Sequence, residues 1–292
     1  MRNHREELFW ALVLLLPSLL GVGIFTFIPV VASFGLSFSQ WNLLSPPKWV
    51  GLQNYLELAT DPLFWKVLLN TFVYAFSVVI FEVPLALGLA VAMNRQGWVV
   101  KIFRTIYFLP VVTSMVAIAL VWNWIYDPQF GLLNAFLKLL GIGPISWLFS
   151  TQWAMPALIA MGVWKNVGYS MVIFLSGLQA ISADLYEAAS LDGADSWSQF
   201  RHVTLPMIAP TLFFVMIMST ITAFQAFDSV YMMTQGGPEN ATNVAVYWLY
   251  QSGFEFFRVG RASAIAYVLF GIILTLTLVQ WRLRKKWVAL EA

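Results

Sequence analysis

The sequence predicts an all-α, polytopic membrane protein with six transmembrane helices. Three observations carry that prediction. Apolar residues make up 60% of the 292 residues and charged residues only 10%, against roughly 25% charged in an average soluble domain. Six apolar stretches reach the roughly 20 residues that cross a bilayer as a helix. Lys and Arg are unequally shared between the segments that connect them. The mean hydropathy of +0.76 points the same way, since a soluble chain of this length could not bury so much apolar surface. Disorder is excluded by 24 Phe, 14 Trp and 10 Tyr, because disordered chains are poor in aromatics and rich in charge. A net charge of +2 with dispersed basic residues leaves no nucleic-acid footprint. The chain has no Cys, which removes disulfides, thiolate metal sites and cysteine nucleophiles together.

The stretches lie near residues 9–34, 67–93, 105–125, 153–176, 207–233 and 262–281. Each is continuous rather than alternating, which argues against β-barrel strands. The first is too long for a signal peptide, contains Pro17 and Pro29, and lacks a clear cleavage site, so it is expected to remain as a span. The termini and the even loops carry Arg2, Arg5, Arg95, Lys101, Arg104, Arg201, Arg282, Arg284, Lys285 and Lys286. The opposite side carries Lys48, Lys66, Lys138, Arg258 and Arg261 over a longer total length. The density differs about threefold, which predicts both termini in the cytoplasm. Trp41, Trp49, Trp65, Trp147 and Trp153 cluster near the outer edge, where amphipathic rings favour the headgroup level. No linker, low-complexity tract or repeat interrupts the chain, so residues 1–292 are expected to form one transmembrane domain.

A long inner loop, about residues 177–206, is the most informative stretch. It reads as two short helices around a glycine. Ser182 or Asp184 can cap the first helix, and Asp195 or Ser196 the second, by accepting bonds from orphan backbone N–H groups. Gly193 suits the left-handed position that ends a helix. Pro206 is tolerated in the first turn of the following span. Leu185, Ala188 and Ala189 share one face of the first helix, where two alanines allow close approach of another surface. An amphipathic connector resting on the membrane is the plain alternative.

The same loop contains Glu187-Ala188-Ala189, three residues, Gly193, nine residues, Val203, one residue and Leu205-Pro206. This pattern resembles the cytoplasmic signature of binding-protein-dependent ABC importer permeases, with Val203 in place of a more usual Ile. The resemblance covers nearly the whole chain. Gly51-Leu52-Gln53-Asn54-Tyr55, Asn70-Thr71, Phe103-Arg104 with Leu109-Pro110, and Gly131-Leu132-Leu133-Asn134 look like the corresponding segments of carbohydrate-type permeases. Thr234-Gln235-Gly236-Gly237-Pro238 followed by Thr242 resembles the segment after the fifth span in the MalF-like subunit of the maltose-transporter type. Alone, Gly-Gly-Pro would read simply as a turn.

The resemblance implies a type I ABC importer permease architecture. It implies that Glu187, Ala188, Ala189, Gly193, Leu205 and Pro206 belong to a coupling helix that docks on an ATP-hydrolysing subunit. It further implies a second, MalG-like permease subunit, two ATP-binding subunits that use ATP and Mg, an extracytoplasmic sugar-binding protein, and a bacterial or archaeal inner membrane. This chain lacks the Gly-rich loop ending in Gly-Lys-Ser/Thr that cradles phosphates, so no cofactor of its own is expected. His4 and His202 are its only histidines, and neither sits where a metal or a catalytic base is needed.

Three ionisable residues fall inside the expected spans: Glu82, Lys165 and Asp228. Each costs roughly 2.5–3.5 kcal/mol on insertion scales unless a partner or a pocket receives it. Glu82 is read as a local hydrogen-bonding or packing residue, Asp228 as reaching the interface, and Lys165 as lying near mid-span and leaving an anionic substrate open. Gapless extension of the resemblance from Glu187 and Pro206 reaches Asn166, Tyr169, Ser219, Thr222, Ala223 and Ala226. These match the sugar-binding positions of the maltose-type permease, where Ala223 and Ala226 replace amides. The plain alternative for Ser219 and Thr222 is hydrogen bonding within or between helices. A stand-alone secondary transporter or channel would call for inverted repeats and a mid-membrane ion site. An intramembrane enzyme would call for a reactive constellation inside the spans. The sequence contains neither pattern.

Overall fold

A computed structural model of the chain describes residues 4–288. Of the basic residues that set the expected orientation, Arg2 lies outside the described residues, as do the side chains of Arg5, Arg284, Lys285 and Lys286; the His4 side chain does too. The chain is helical almost throughout, because in a bilayer every backbone N–H and C=O must be satisfied internally. α1 (His4–Val22) continues through a π-helical turn (Gly23–Phe27) into α2 (Ile28–Ser37). The strands β1 (Ser39–Gln40) and β2 (Lys48–Trp49) form a small antiparallel hairpin, with Ser39 opposite Trp49 and Gln40 opposite Lys48. Then follow α3 (Gln53–Thr60), α4 (Pro62–Met93), α5 (Trp98–Val112), α6 (Met115–Ile125), α7 (Leu132–Leu139) and α8 (Ala154–Gln179). The long loop contains α9 (Ala183–Leu191) and α10 (Ser196–Gln199), a second π turn (Phe200–Thr204) and α11 (Leu205–Met207). α12 (Ala209–Phe224), α13 (Asp228–Met233), α14 (Ala245–Tyr250), a third π turn (Gln251–Glu255) and α15 (Val259–Val288) complete the chain.

Among the described residues, four helices are long and apolar enough to cross a membrane alone: Phe9–Ser37, Pro62–Met93, Ala154–Gln179 and Val259–Leu283. Two bent pairs, α5 with α6 at 104° and Ser196–Met207 with α12 at 68°, pass the same test only if each is taken as one broken span. The protein passes the membrane several times, but the third and fifth apolar stretches are not single continuous helices. The third breaks at Thr113 and Ser114, which are extended at ψ 140° and 135°. The fifth ends at Phe224 rather than Met233, and α13 restarts as a separate short helix. Hydropathy reads through such breaks because the residues around them stay apolar.

Prolines explain two of the π turns. The N–H of Ile28 reaches back five residues to Gly23, immediately before Pro29, and that of Leu205 reaches Phe200, immediately before Pro206. A proline ring clashes with the carbonyl four residues earlier, and a wider turn relieves that clash.

The described residues form two compact units. One takes the chain up to Pro62 with Trp248–Leu269, and the other takes Leu63–Tyr247 with the chain from Phe270 onward. In the first unit, the buried Asn54 donates to the carbonyls of Ser37 (2.8 Å) and Ser39 (3.0 Å), and Tyr55 donates to Ser37 Oγ at 2.7 Å. An Arg261–Asp61 ion pair closes the same region. In the second unit, α4, α8 and α12 bury a core that includes Ala86, Ala90, Met171, Phe174, Ile208 and Val215.

Close helix approach in that unit depends on small residues. A Cβ at Gly168 of α8 would overlap the backbone carbonyl oxygen of Tyr107 on α5. Backbone cannot move aside as a flexible side chain can, so Gly168→Ala is expected to push α5 from α8 at a cost of at least about 1–3 kcal/mol. Thermal denaturation of the purified protein checks this; a melting temperature equal to wild type would contradict it.

Candidate functional site

The loop between α8 and α12 is stitched by its own polar side chains. Ser182 caps α9 by accepting from the Asp184 N–H at 3.3 Å, and Asp195 caps α10 by accepting from the Ser198 N–H at 2.8 Å. Bonds from the Ser198 side chain and backbone hold the exposed Asp195 carboxyl below its ordinary range. Gly193 has φ +83° and turns the chain between the two helices. Across that turn, Gln199 Nε2 donates to Ser190 Oγ (2.9 Å) and to the Ala194 carbonyl (3.2 Å). Tyr186 Oη lies 3.0 Å from Thr204 Oγ1. The loop is thus one folded element.

Glu187, Ala188 and Pro206 are exposed on this element, while Ala189, Val203 and Leu205 are half-buried. Leu191 is 90% exposed and Trp197 66%. Exposed large apolar side chains and an exposed carboxylate, on a loop between the spanning helices, form a surface suited to a protein partner.

Deeper in the same unit, Asn166, Tyr169, Ser219 and Thr222 line one depression of about 50 Å³ together with Glu82, Ser170, Ile173, Val215 and Met218. Glu82 comes from α4. Ser170 and Ser219 both donate to Glu82 Oε1, at 2.6 and 3.1 Å. A carboxyl in this setting needs donors, and the two serines come from α8 and α12. Sequence reasoning treated Glu82 as a local hydrogen-bonding or packing residue and did not place it in the lining of the depression. The available signal was a buried acid that required nearby hydroxyls. Ala223 is buried instead, and Ala226 lies in the link after α12; neither lines the depression.

Lys165 has a different place. Its Nζ donates to the carbonyls of Pro110, of Val111 at 2.9 Å and of Thr113 at 3.0 Å. The break between α5 and α6 leaves those carbonyls without the usual helical donors, and an ammonium at a helix C-terminus also suits the dipole. Asp228 is exposed in the first turn of α13, where a carboxylate is favourable for the same reason.

Two segments that are remote in sequence meet on the far side of this unit from the loop. Asn70 Nδ2 donates to the carbonyls of Asn240 (2.8 Å) and Asn243 (3.0 Å), and Thr71 Oγ1 accepts from the Ala245 N–H at 2.9 Å. Within the turn, Thr242 Oγ1 bonds Thr234 Oγ1 (2.8 Å) and the Gly237 carbonyl (2.6 Å). Gly236 has φ +77°, and a Cβ there would meet Tyr247 at 2.9 Å, so both backbone and packing demand glycine. The Gly-Gly-Pro segment is therefore an anchored turn, held by the opening of α4.

This architecture defines a class: a multi-pass membrane protein whose polar depression and folded helical loop share α8 and α12. Comparison with known proteins is specific. Residues 83–284 match the family of binding-protein-dependent transport system inner membrane components. The probable ABC transporter permease protein YurN of Bacillus subtilis is 39% identical over 93% of this chain and 94% of its own length. The trehalose/maltose transport system permease protein MalF of Thermococcus litoralis is 34% identical, covering 91% and 90%. A bacterial ABC transporter involved in alginate import superposes with a TM-score of 0.85 at 24% identity, over 97% of this chain and 96% of that one. The chain belongs to the family of binding-protein-dependent transport system inner membrane components. It is a permease subunit, a transport component rather than a catalytic one.

Proposed function

We propose that the chain forms half of the translocation pore of an ATP-driven sugar importer. A MalG-like permease supplies the other half. Two ATP-binding subunits, which hold the ATP and Mg, dock on the 177–206 loop through Glu187, Ala188, Ala189, Gly193, Leu205 and Pro206. An extracytoplasmic sugar-binding protein delivers substrate to the opposite face, and both termini lie in the cytoplasm. The chain acts as a single permease domain.

One observation carries this reading. The loop is bracketed by α8 and α12, and those two helices carry Asn166, Tyr169, Ser170, Ser219 and Thr222 of the depression. From Asn166 to the end of α8 is about 20 Å of continuous helix at 1.5 Å per residue. A displacement of the loop therefore moves both walls of the depression. At about 50 Å³ the depression has room for a few waters but not for a sugar ring. Passage thus requires the walls to part, and α8 and α12 are levers for that motion. The sugar assignment rests on the trehalose/maltose relative.

Asn166→Ala and Tyr169→Ala are expected to lower uptake roughly tenfold at limiting substrate, since each removes one polar or aromatic contact of about 1.4 kcal/mol. Assembly should stay intact, because Asn166 is half-buried and Tyr169 is 48% exposed. Uptake into proteoliposomes holding the whole complex is the measurement. Unchanged uptake in both variants would place the path elsewhere. Vigorous ion-driven, ATP-independent uptake by the isolated chain would overturn the wider reading.

A further inference from the structure

A second cavity, of about 580 Å³, opens where α4 ends, α5 begins and α8 ends. Arg95, Lys101 and Arg104 line it together with Trp98 and Gln179. None of the described residues lining it is acidic. Arg104 is the most tightly held of the three cations. Its Nη2 donates to the Met93 carbonyl at 2.6 Å and the Arg95 carbonyl at 3.3 Å, while its buried Nε has no partner among the described residues. Arg95 and Lys101 are exposed. The ordinary role of basic residues in a short inner loop is to set topology. That role requires charge alone; it does not require a cavity.

The surroundings decide the class of ligand. Gln179 is the last residue of α8, so the cavity lies on the same side of the membrane as the α9–α10 loop. From the cavity rim, Trp98, Ile102, Ile106 and Leu109 run along one exposed stripe of α5, with Trp98 73% exposed. These residues are three or four apart and share a helix face. A ligand with an anionic head and an apolar tail would meet cations at one end and this stripe along the other. Basic pockets between spanning helices are suited to anionic lipid headgroups.

We propose that this cavity binds the phosphate headgroup of an anionic phospholipid, with its acyl chains along Trp98, Ile102 and Ile106. Arg95 and Lys101 supply the exposed charge, and Arg104 adds a third positive charge held in place by the Met93 and Arg95 carbonyls. The proposal needs only a membrane-spanning chain and is independent of which substrate the importer carries.

The test uses the complete complex, stripped of lipid in detergent and then exposed to phosphatidylglycerol, phosphatidylcholine or inorganic phosphate. Retained lipid is counted by native mass spectrometry. Wild type should retain phosphatidylglycerol in preference to phosphatidylcholine. Each basic side chain near an anionic lipid shifts binding about fivefold, so Arg95→Gln with Lys101→Gln should lower phosphatidylglycerol retention roughly twenty-five-fold. The exchange Arg95→Lys with Lys101→Arg keeps the charge and should keep the lipid. Equal retention by wild type and the neutral double variant would reduce these residues to topology signals and overturn the proposal. So would a wild type without preference between the two lipids, which needs no variant to fold. Displacement of the lipid by inorganic phosphate alone would identify a free-anion site and overturn it equally.

Discussion

Gly193→Val is expected to abolish the stimulation of ATP hydrolysis by loaded binding protein while the membrane spans still insert. Nothing lies within 4 Å of a Cβ built at Gly193, so the added side chain has space. The cost comes from the backbone. At φ +83° an L-residue meets a penalty of about 1–2 kcal/mol, and a β-branched one fits worst. The chain escapes by changing φ, which swings α10 from α9 and breaks the Gln199 bonds to Ser190 and Ala194. Asn tolerates the left-handed region, so Gly193→Asn should retain most of the stimulation. That contrast separates a conformational requirement from a requirement for small size.

Glu187→Ala should have the same consequence for a different reason. Glu187 is exposed at the fifth position of α9, beyond the first turn, where Asp184 already serves the dipole. Support of the helix N-terminus, worth about 0.3–1 kcal/mol, therefore falls to Asp184. A carboxylate that pairs with a basic or N–H-rich patch on the ATP-binding subunit costs on the order of 2–5 kcal/mol when one partner is removed. ATPase activity of the reconstituted complex, with and without loaded binding protein, is the measurement. Full stimulation in both Gly193→Val and Glu187→Ala would remove this loop as the transmission element.

Lys165→Met is expected to destabilise the complex irrespective of substrate. The ammonium holds carbonyls at the 104° break between α5 and α6. Met has a similar length and no donors. Leaving the Val111 and Thr113 carbonyls without that partner costs about 1–3 kcal/mol each. Arg keeps the charge and several donors, so Lys165→Arg should lose less. If Lys165 instead bound an anionic substrate, the Met variant would melt like wild type and lose uptake only of charged substrates. Thermal denaturation of the purified complex alongside uptake of a neutral sugar distinguishes the two outcomes.

The sequence carried more of the loop than of the membrane interior. The caps at Ser182 and Asp195 and the left-handed Gly193 are local events, decided within four residues by hydrogen bonding and backbone sterics. They are legible wherever the residue types are unambiguous. The π turns before Pro29 and Pro206 belong to the same local class, since each follows from one missing N–H and one ring. The breaks after Val112 and Phe224 do not. Thr113 and Ser114 alone give no instruction to bend by 104°; the bend stands because Lys165, fifty-odd positions away, receives the exposed carbonyls.

Composition and six apolar runs by themselves determined an all-helical membrane protein, because hydrophobic length and local backbone preference are properties of consecutive residues; that it is a permease was read from the resemblance of the Glu187–Pro206 pattern to a known family. Only the tertiary structure decided that Glu82, Ser170 and Ser219 meet at one oxygen, that Asn70 holds the turn at Asn240 and Asn243, and that Arg95, Lys101 and Arg104 share a cavity. The first two join segments remote in sequence, and the third closes only where Gln179 at the end of α8 meets the start of α5. Their distances follow from how helices pack, through contacts such as Gly168 against the Tyr107 carbonyl, and no periodicity along a single helix encodes them.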